Sequence, residues 1–262
     1  MTELYRHEVI DDHLIIWNCN GAMRNALSPS YYAGVMSGLA RASQDASICA
    51  VILAGENGFF CSGGDLNTLQ KRREMSQAER STQIENLHDI VRCIRACPKP
   101  VIAAVEGGAA GAGLSIALAC DMIVAAEDAA FTLAYVKAGL VPDGGATHAL
   151  MPALPRAAVS RMAMLGHPMS APRFYEFGLV SDLVVAGAAV PRAQELAQEI
   201  ARGPECAIAT IKALMNTAET GSLDQQLNAE RDAMAAALGG DEALAGISAF
   251  LAKQRPVFRK KG

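Results

Sequence analysis

The sequence predicts an α/β core followed by a helical C-terminal region. Two observations carry this. Up to about residue 150, short apolar runs of strand length alternate with segments whose apolar residues recur at helical spacing. Beyond that point helical periods follow one another almost without interruption. With 262 residues, 51% of them hydrophobic, the chain can bury a sizeable core.

Residues 14–19 read as a strand, 31–42 as a helix and 49–53 as a buried strand. Residues 81–95 place Ile84, Leu87, Ile90, Val91 and Ile94 at helical spacing, and Pro98 and Pro100 end that helix. A short apolar strand (101–105), a glycine-rich turn, an alanine-rich helix through Cys120 and a strand (122–126) follow. Helical periods then occupy 157–164, 171–177, 190–202, 207–217, 223–238 and 241–253, with 179–185 as the remaining strand. We expect an α/β core over 1–200 and a helical region over 201–262, with no low-complexity linker and no internal repeat.

The formal net charge of −4 argues against nucleic acid or an anionic membrane as partner, since both require a dense positive field. Lys253, Arg255, Arg259, Lys260 and Lys261 form a basic tail on this acidic chain. Seven cysteines without paired spacing suit reduced thiols better than disulfides or a metal site. The N-terminus lacks the basic flank and apolar run of a signal peptide, and the uncharged tract 107–120 is too short to span a bilayer. A cytoplasmic protein without a membrane segment is the expectation.

Two glycine-rich turns join strands to helices. In Phe59-Phe60-Cys61-Ser62-Gly63-Gly64-Asp65-Leu66, the paired glycines let the backbone turn sharply and clear the approach for a ligand. The Gly64 amide, near a helix start, is a candidate donor to an anion or oxyanion. The second turn, Glu106-Gly107-Gly108-Ala109-Ala110-Gly111-Ala112-Gly113, fits neither the dinucleotide fingerprint nor a P-loop. Two such amides converging on one oxygen make an oxyanion hole.

Over nearly its whole length the chain resembles the crotonase, or enoyl-CoA hydratase/isomerase, superfamily. The resemblance rests on Arg24-Asn25-Ala26-Leu27, on Phe60-Cys61-Ser62-Gly63-Gly64-Asp65-Leu66 and on Lys99-Pro100-Val101-Ile102-Ala103-Ala104-Val105. It rests also on Ala119-Cys120-Asp121 and Gly139-Leu140-Val141-Pro142. It implies a spiral of ββα repeats, a C-terminal trimerisation region and a homotrimer or homohexamer. It implies acyl-CoA thioester substrates with the thioester oxygen held by the amides of Gly64 and Ala112. No separate cofactor is implied, because coenzyme A is part of the substrate, and no metal. The same matching puts Arg24, Ala26, Gly64, Asp65 and Leu66 along the coenzyme A site, and Lys253 against a phosphate, often a neighbouring subunit's.

The two glutamates of the family's hydratases match Ser115 and Tyr135 here, so water addition by that pair is not expected. In the isomerase branch a single acid stands directly before paired glycines, and Pro142-Asp143-Gly144-Gly145 matches that arrangement. One carboxylate can take a proton beside the thioester and return it further along the chain. An ordinary turn or helix N-cap is the competing role for Asp143. The wider stretch 130–143 is most similar to the phenylacetate-pathway isomerases acting on ring epoxides, with simple enoyl-CoA isomerases nearly as close. A hydratase with substitute acids and a non-catalytic acyl-CoA binder stay open. Tyr135 either contacts substrate or fills the pocket wall. Ser115 has a minor role at most, His148 a structural one, and Cys61 is expected to be an inert core thiol.

Overall fold

The continuous apolar runs become parallel strands buried on both faces. A computed structural model describes residues 4–259; Lys260 and Lys261 of the basic tail lie outside them. The main sheet runs β1 (Tyr5–Ile10), β2 (His13–Asn18), β3 (Ala50–Gly55), β4 (Val101–Val105), β6 (Met122–Ala126) and β9 (Asp182–Val184), in that spatial order. It is parallel from β2 onward, and β1 pairs antiparallel with β2. Along β3, Val51 and Leu53 enter one core cluster while Ala50, Ile52 and Ala54 enter the other. A strand covered on both faces has no position left for polar residues, which is why AVILA reads as an unbroken run.

On one face pack α1 (Pro29–Gln44), α3 (Gln77–Ala96) and α4 (Ala112–Ala119). The other face is closed by α8 (Ala189–Ala201), whose Ala189, Ala193 and Ala197 form a fully buried stripe against Ile52, Ile102 and Val124. A second layer consists of β5 (Gly108–Ala110), β7 (Ala130–Thr132) and β8 (Met169–Ser170), extended by a bridge from Cys61 to Ala109. Each turn of the chain thus contributes one long strand to the main sheet and one short strand to the second layer: β3 with Cys61, β4 with β5, β6 with β7. This is the ββα spiral.

Four strands depart from the sequence reading, the six-residue edge strand β1 and three of two or three residues. β5 lies inside the segment read as a turn, and β1, β7 and β8 were not anticipated. Strands of two or three residues carry no period of their own; β5 exists because Gly108, Ala109 and Ala110 pair with Ala130, Phe131 and Thr132. The strand expected over 179–185 narrows to β9, an edge strand held only by β6. The other strands and helices appear within a few residues of their expected bounds.

The short helix α2 (Leu66–Arg72) follows the first glycine turn. After β7 come a 3₁₀ turn over Ala134–Ala138, α5 (Ala146–Ala153), α6 (Arg156–Leu165) and α7 (Ala171–Glu176). The chain then continues through α9 (Glu205–Ala218), α10 (Leu223–Leu238) and α11 (Asp241–Leu251). α9 docks by burying Lys212, whose Nζ donates to Ile94 O (2.9 Å), Lys99 O (3.1 Å) and Asp121 Oδ2 (2.7 Å). Asp121 Oδ2 also accepts the Val101 amide at 2.7 Å, so one ion pair ties α9 to the start of β4. Among the described residues no single helix is long and apolar enough to cross a membrane; α10 and α11 reach that length together but meet at a 74° bend.

Candidate active site

The two glycine turns meet because Gly63 has no side chain. At φ +91° it occupies backbone space that favours glycine, and a Cβ there would lie 2.6 Å from the Ala110 carbonyl and 3.3 Å from the Ala112 nitrogen. The Ala110 amide donates to Cys61 O at 2.9 Å, stitching the turns together. Ala112 opens α4, so its N–H is one of the first-turn donors that a helix leaves unpaired. Gly64 stands just before Asp65, the N-cap of α2. Neither the Gly64 nor the Ala112 amide donates to a protein acceptor among the described residues. Two unspent main-chain donors beside one glycine contact are the makings of an oxyanion hole.

The first turn is braced from the N-terminal side. Leu27 N–H donates to Gly63 O at 2.8 Å and Ser62 N–H to Arg24 O at 3.0 Å. These bonds hold the segment from Arg24 to Leu27 against the first glycine turn. Arg24 adopts a left-handed φ of +48°, and its guanidinium lies 5.7 Å from the Phe59 ring centre. Asp65 accepts from Asn67 N–H at 3.0 Å and from the Thr68 hydroxyl at 2.7 Å. The Thr68 bond, with its neighbours, holds that carboxyl below the usual range. Its charge is committed to the start of α2. Leu66 is 65% exposed. Lys253, just past α11 at φ +54°, is exposed and not bonded to either glycine turn.

Asp143 does not cap α5. That helix begins at Ala146 with Gly145 as its N-cap and no side-chain capping bond; of the competing role only the turn is present, in which the Asp143 carbonyl accepts the Ala146 amide at 3.4 Å. The half-buried Asp143 carboxylate instead accepts the Tyr135 hydroxyl, 2.7 Å from Oδ1. The Asp143 carbonyl accepts the Ser115 hydroxyl at 2.8 Å, and the two hydroxyl oxygens stand 3.3 Å apart. Burial first, and the nearby Asp143 charge second, push the Tyr135 phenol far above its ordinary pKa, so it remains a donor. The contact with Asp143 is the signal that sequence reasoning missed. The resemblance relates each position to an acid of the family, but no expectation joined the two.

Gly144 makes the arrangement possible. It sits at φ +61°, and a Cβ there would fall 2.7 Å from Ser115 Cβ and 3.1 Å from Leu87 Cδ2. The loop therefore runs against α4, and only a small residue fits at 115. Tyr135 also reaches the oxyanion side: a Cβ on Gly111 would lie 3.8 Å from Tyr135 Cζ and 3.9 Å from Gly63 Cα. Tyr135 thus touches the Asp143 carboxylate and borders the second glycine turn. Tyr32, absent from the sequence-derived site, borders the same carboxylate. Its phenol is raised by burial, with Cys61 and Asp143 adding to the effect.

A cavity of about 550 Å³ is lined in part by Ser115 and Gly144. Val91, Leu118, Ala149 and Leu179 line it, and His148 and the Arg95–Glu219 ion pair stand at its rim. His148 is exposed on α5 with no hydrogen-bond partner among the described residues. Cys61 is buried, and that burial raises its thiol to about 12, which disfavours the thiolate. Among the described residues no cluster of three or more His, Cys, Asp or Glu side chains is arranged to hold a metal ion.

Known proteins share this architecture. The family described as Enoyl-CoA hydratase/isomerase matches residues 19–261. The 1,2-epoxyphenylacetyl-CoA isomerase of Escherichia coli K12 is 36% identical, over 90% of this chain and 91% of its own. The 2,3-dehydroadipyl-CoA hydratase of the same organism is 31% identical over 91% of each. A crystal structure of an enoyl-CoA hydratase from Polaromonas sp. JS666 superposes with a TM-score of 0.94 at 41% identity, covering 97% of this chain and 99% of that one. With its ββα spiral, paired glycine turns and unspent amides, the chain belongs to the enoyl-CoA hydratase/isomerase family.

Proposed function

We propose that the protein is an acyl-CoA isomerase that moves a double bond, or rearranges a ring epoxide, next to a coenzyme A thioester. The observation that carries this is the carboxylate of Asp143: it is not spent on the helix it precedes, and the tyrosine bonded to it borders Gly111 of the second glycine turn. The hydratase glutamate positions hold Ser115 and Tyr135, neither of them an acid. Asp143 removes a proton beside the thioester carbonyl, and negative charge develops on the thioester oxygen. The amides of Gly64 and Ala112 receive that charge; each such donor is worth about 3–4 kcal/mol. Asp143 then returns the proton further along the acyl chain. The reading draws on no resident cofactor, since coenzyme A enters with the substrate.

Arg24, Ala26, Asp65 and Leu66 line the coenzyme A in this reading, and Lys253 meets a phosphate. The apolar cavity lined in part by Ser115 and Gly144 supports an acyl or aryl group carried past Asp143. Exposed apolar side chains on the last helices, among them Leu223 (73%), Leu244 (68%) and Phe250 (82%), support a homotrimer or homohexamer built through the region after residue 200. Free cysteines fit a reducing cytoplasm. The isomerase relative supports a role in phenylacetate degradation, with fatty acid metabolism as the other setting.

Asp143→Asn tests the reading. A 3-enoyl-CoA, and separately an epoxide of an aryl acetyl-CoA, is offered to wild type and variant, and product is followed by chromatography and mass. A loss of about 10²–10⁴-fold is expected for the variant. Unchanged turnover refutes Asp143 as the base. The hydratase relative gives water addition independent standing. Rapid loss of the conjugated thioester absorbance from a trans-2-enoyl-CoA would overturn the isomerase choice.

A further inference from the structure

We propose that Tyr135 is the positioning residue of Asp143: its hydroxyl pins one carboxylate oxygen so that the other alone carries the migrating proton and keeps it from solvent. The inference deepens the isomerase reading and rests on it. Two hydroxyl protons serve three short contacts here. The Ser115 proton goes to the Asp143 carbonyl (2.8 Å) and the Tyr135 proton to Asp143 Oδ1 (2.7 Å), leaving the 3.3 Å contact between the hydroxyl oxygens without one. No other side chain or amide donates to the Asp143 carboxylate among the described residues. Main chain and Oδ1 are therefore both held, and Oδ2 is the free oxygen.

The consequence is chemical. A carboxyl group rotates about its last side-chain bond between two nearly equivalent states, because that torsion is broad and two-fold. In the transfer, the bond from C2 to hydrogen breaks and its electron pair enters the dienolate. The proton joins Oδ2, and the neutral carboxyl then releases it to C4 as the dienolate pair forms the new carbon–hydrogen bond, restoring the carboxylate. Rotation between the two half-steps would carry the proton out of line and into exchange with water. A phenol that stays protonated and bonded to Oδ1 opposes that rotation. Packing of the ring beside Gly111 fixes the phenol in turn. Tyr135 thus occupies the second glutamate position of the family's hydratases without supplying an acid there.

The experiment follows the proton. Wild type, Tyr135→Phe and Asp143→Asn convert a 3-enoyl-CoA in deuterium oxide, and deuterium in the product is measured by mass spectrometry. Melting curves establish that each variant folds. In wild type most product carries no solvent deuterium. In Y135F, kcat falls by about tenfold with KM within about twofold, and the deuterated fraction rises severalfold. A purely structural tyrosine would not change that fraction. Y135F with wild-type kcat and retention, while Asp143→Asn is dead, overturns the pin and leaves the isomerase reading standing. Asp143→Asn with full turnover fails the isomerase reading itself. Complete deuteration of the wild-type product overturns the pin even if Y135F does not fold.

Discussion

Substituting Gly144 by alanine tests whether the loop before α5 sets the position of Asp143. The left-handed φ of +61° costs an alanine about 1–2 kcal/mol. The added methyl would stand 2.7 Å from Ser115 Cβ and 3.1 Å from Leu87 Cδ2. Carbon atoms rest at about 3.5–4.0 Å, so the loop must retreat by about 1 Å, and overpacking of this kind costs about 1–3 kcal/mol more. A total of about 2–5 kcal/mol lowers the melting temperature by about 5–15 °C in a chain of this size. The retreat also carries Asp143 away from the reacting carbon, and a misplacement of about 1 Å costs about 10²-fold in rate. Thermal unfolding followed by circular dichroism and kcat/KM on a 3-enoyl-CoA measure the two effects. The double variant Ser115→Gly with Gly144→Ala recovers part of the stability, because the closest clash is gone. G144A with wild-type melting and rate within about twofold would refute the reasoning.

Two further outcomes follow from the same geometry. Ala112→Pro removes one oxyanion donor while keeping a residue that the first position of a helix tolerates, so the melting temperature holds while kcat falls about 10²–10³-fold. Lys212→Met leaves Asp121 without its buried cation, and urea titration reads a loss of about 3–5 kcal/mol. Adding Asp121→Asn to K212M restores part of that loss if the ion pair is its source.

The longer helices were legible in the sequence because each carries several turns of apolar period. α3, from Gln77 to Ala96, repeats its buried face at Leu87, Ile90 and Ile94 and opens on a complete capping box at Ser76 and Glu79. The long strands were legible for a related reason: β3 and β4 are covered on both faces, so each is apolar throughout. The second layer was not legible, since β5, β7 and β8 owe their existence to partners distant in the chain. The site divides the same way. Asp143 stood out as a charge between a proline and two glycines, and Gly63-Gly64 as a turn that clears backbone. Nothing local in Tyr135 announced its bond to Asp143, eight residues away across a 3₁₀ turn and a loop.

Sequence alone determined the α/β class, the helical tail, the two glycine turns and the acid that interrupts an apolar stretch, because those properties are written in spacing, chirality and charge along the chain. Only the tertiary structure decided which donors remain unspent and which oxygen of the carboxylate is held. Hydrogen-bond accounts close in space rather than along the chain: the Ala112 amide opens α4, where a helix has no carbonyl to offer it, and neither it nor the Gly64 amide meets an acceptor among the described residues. Asp143 is placed where it is because a glycine contact with Ser115 lets one loop lie directly against another helix.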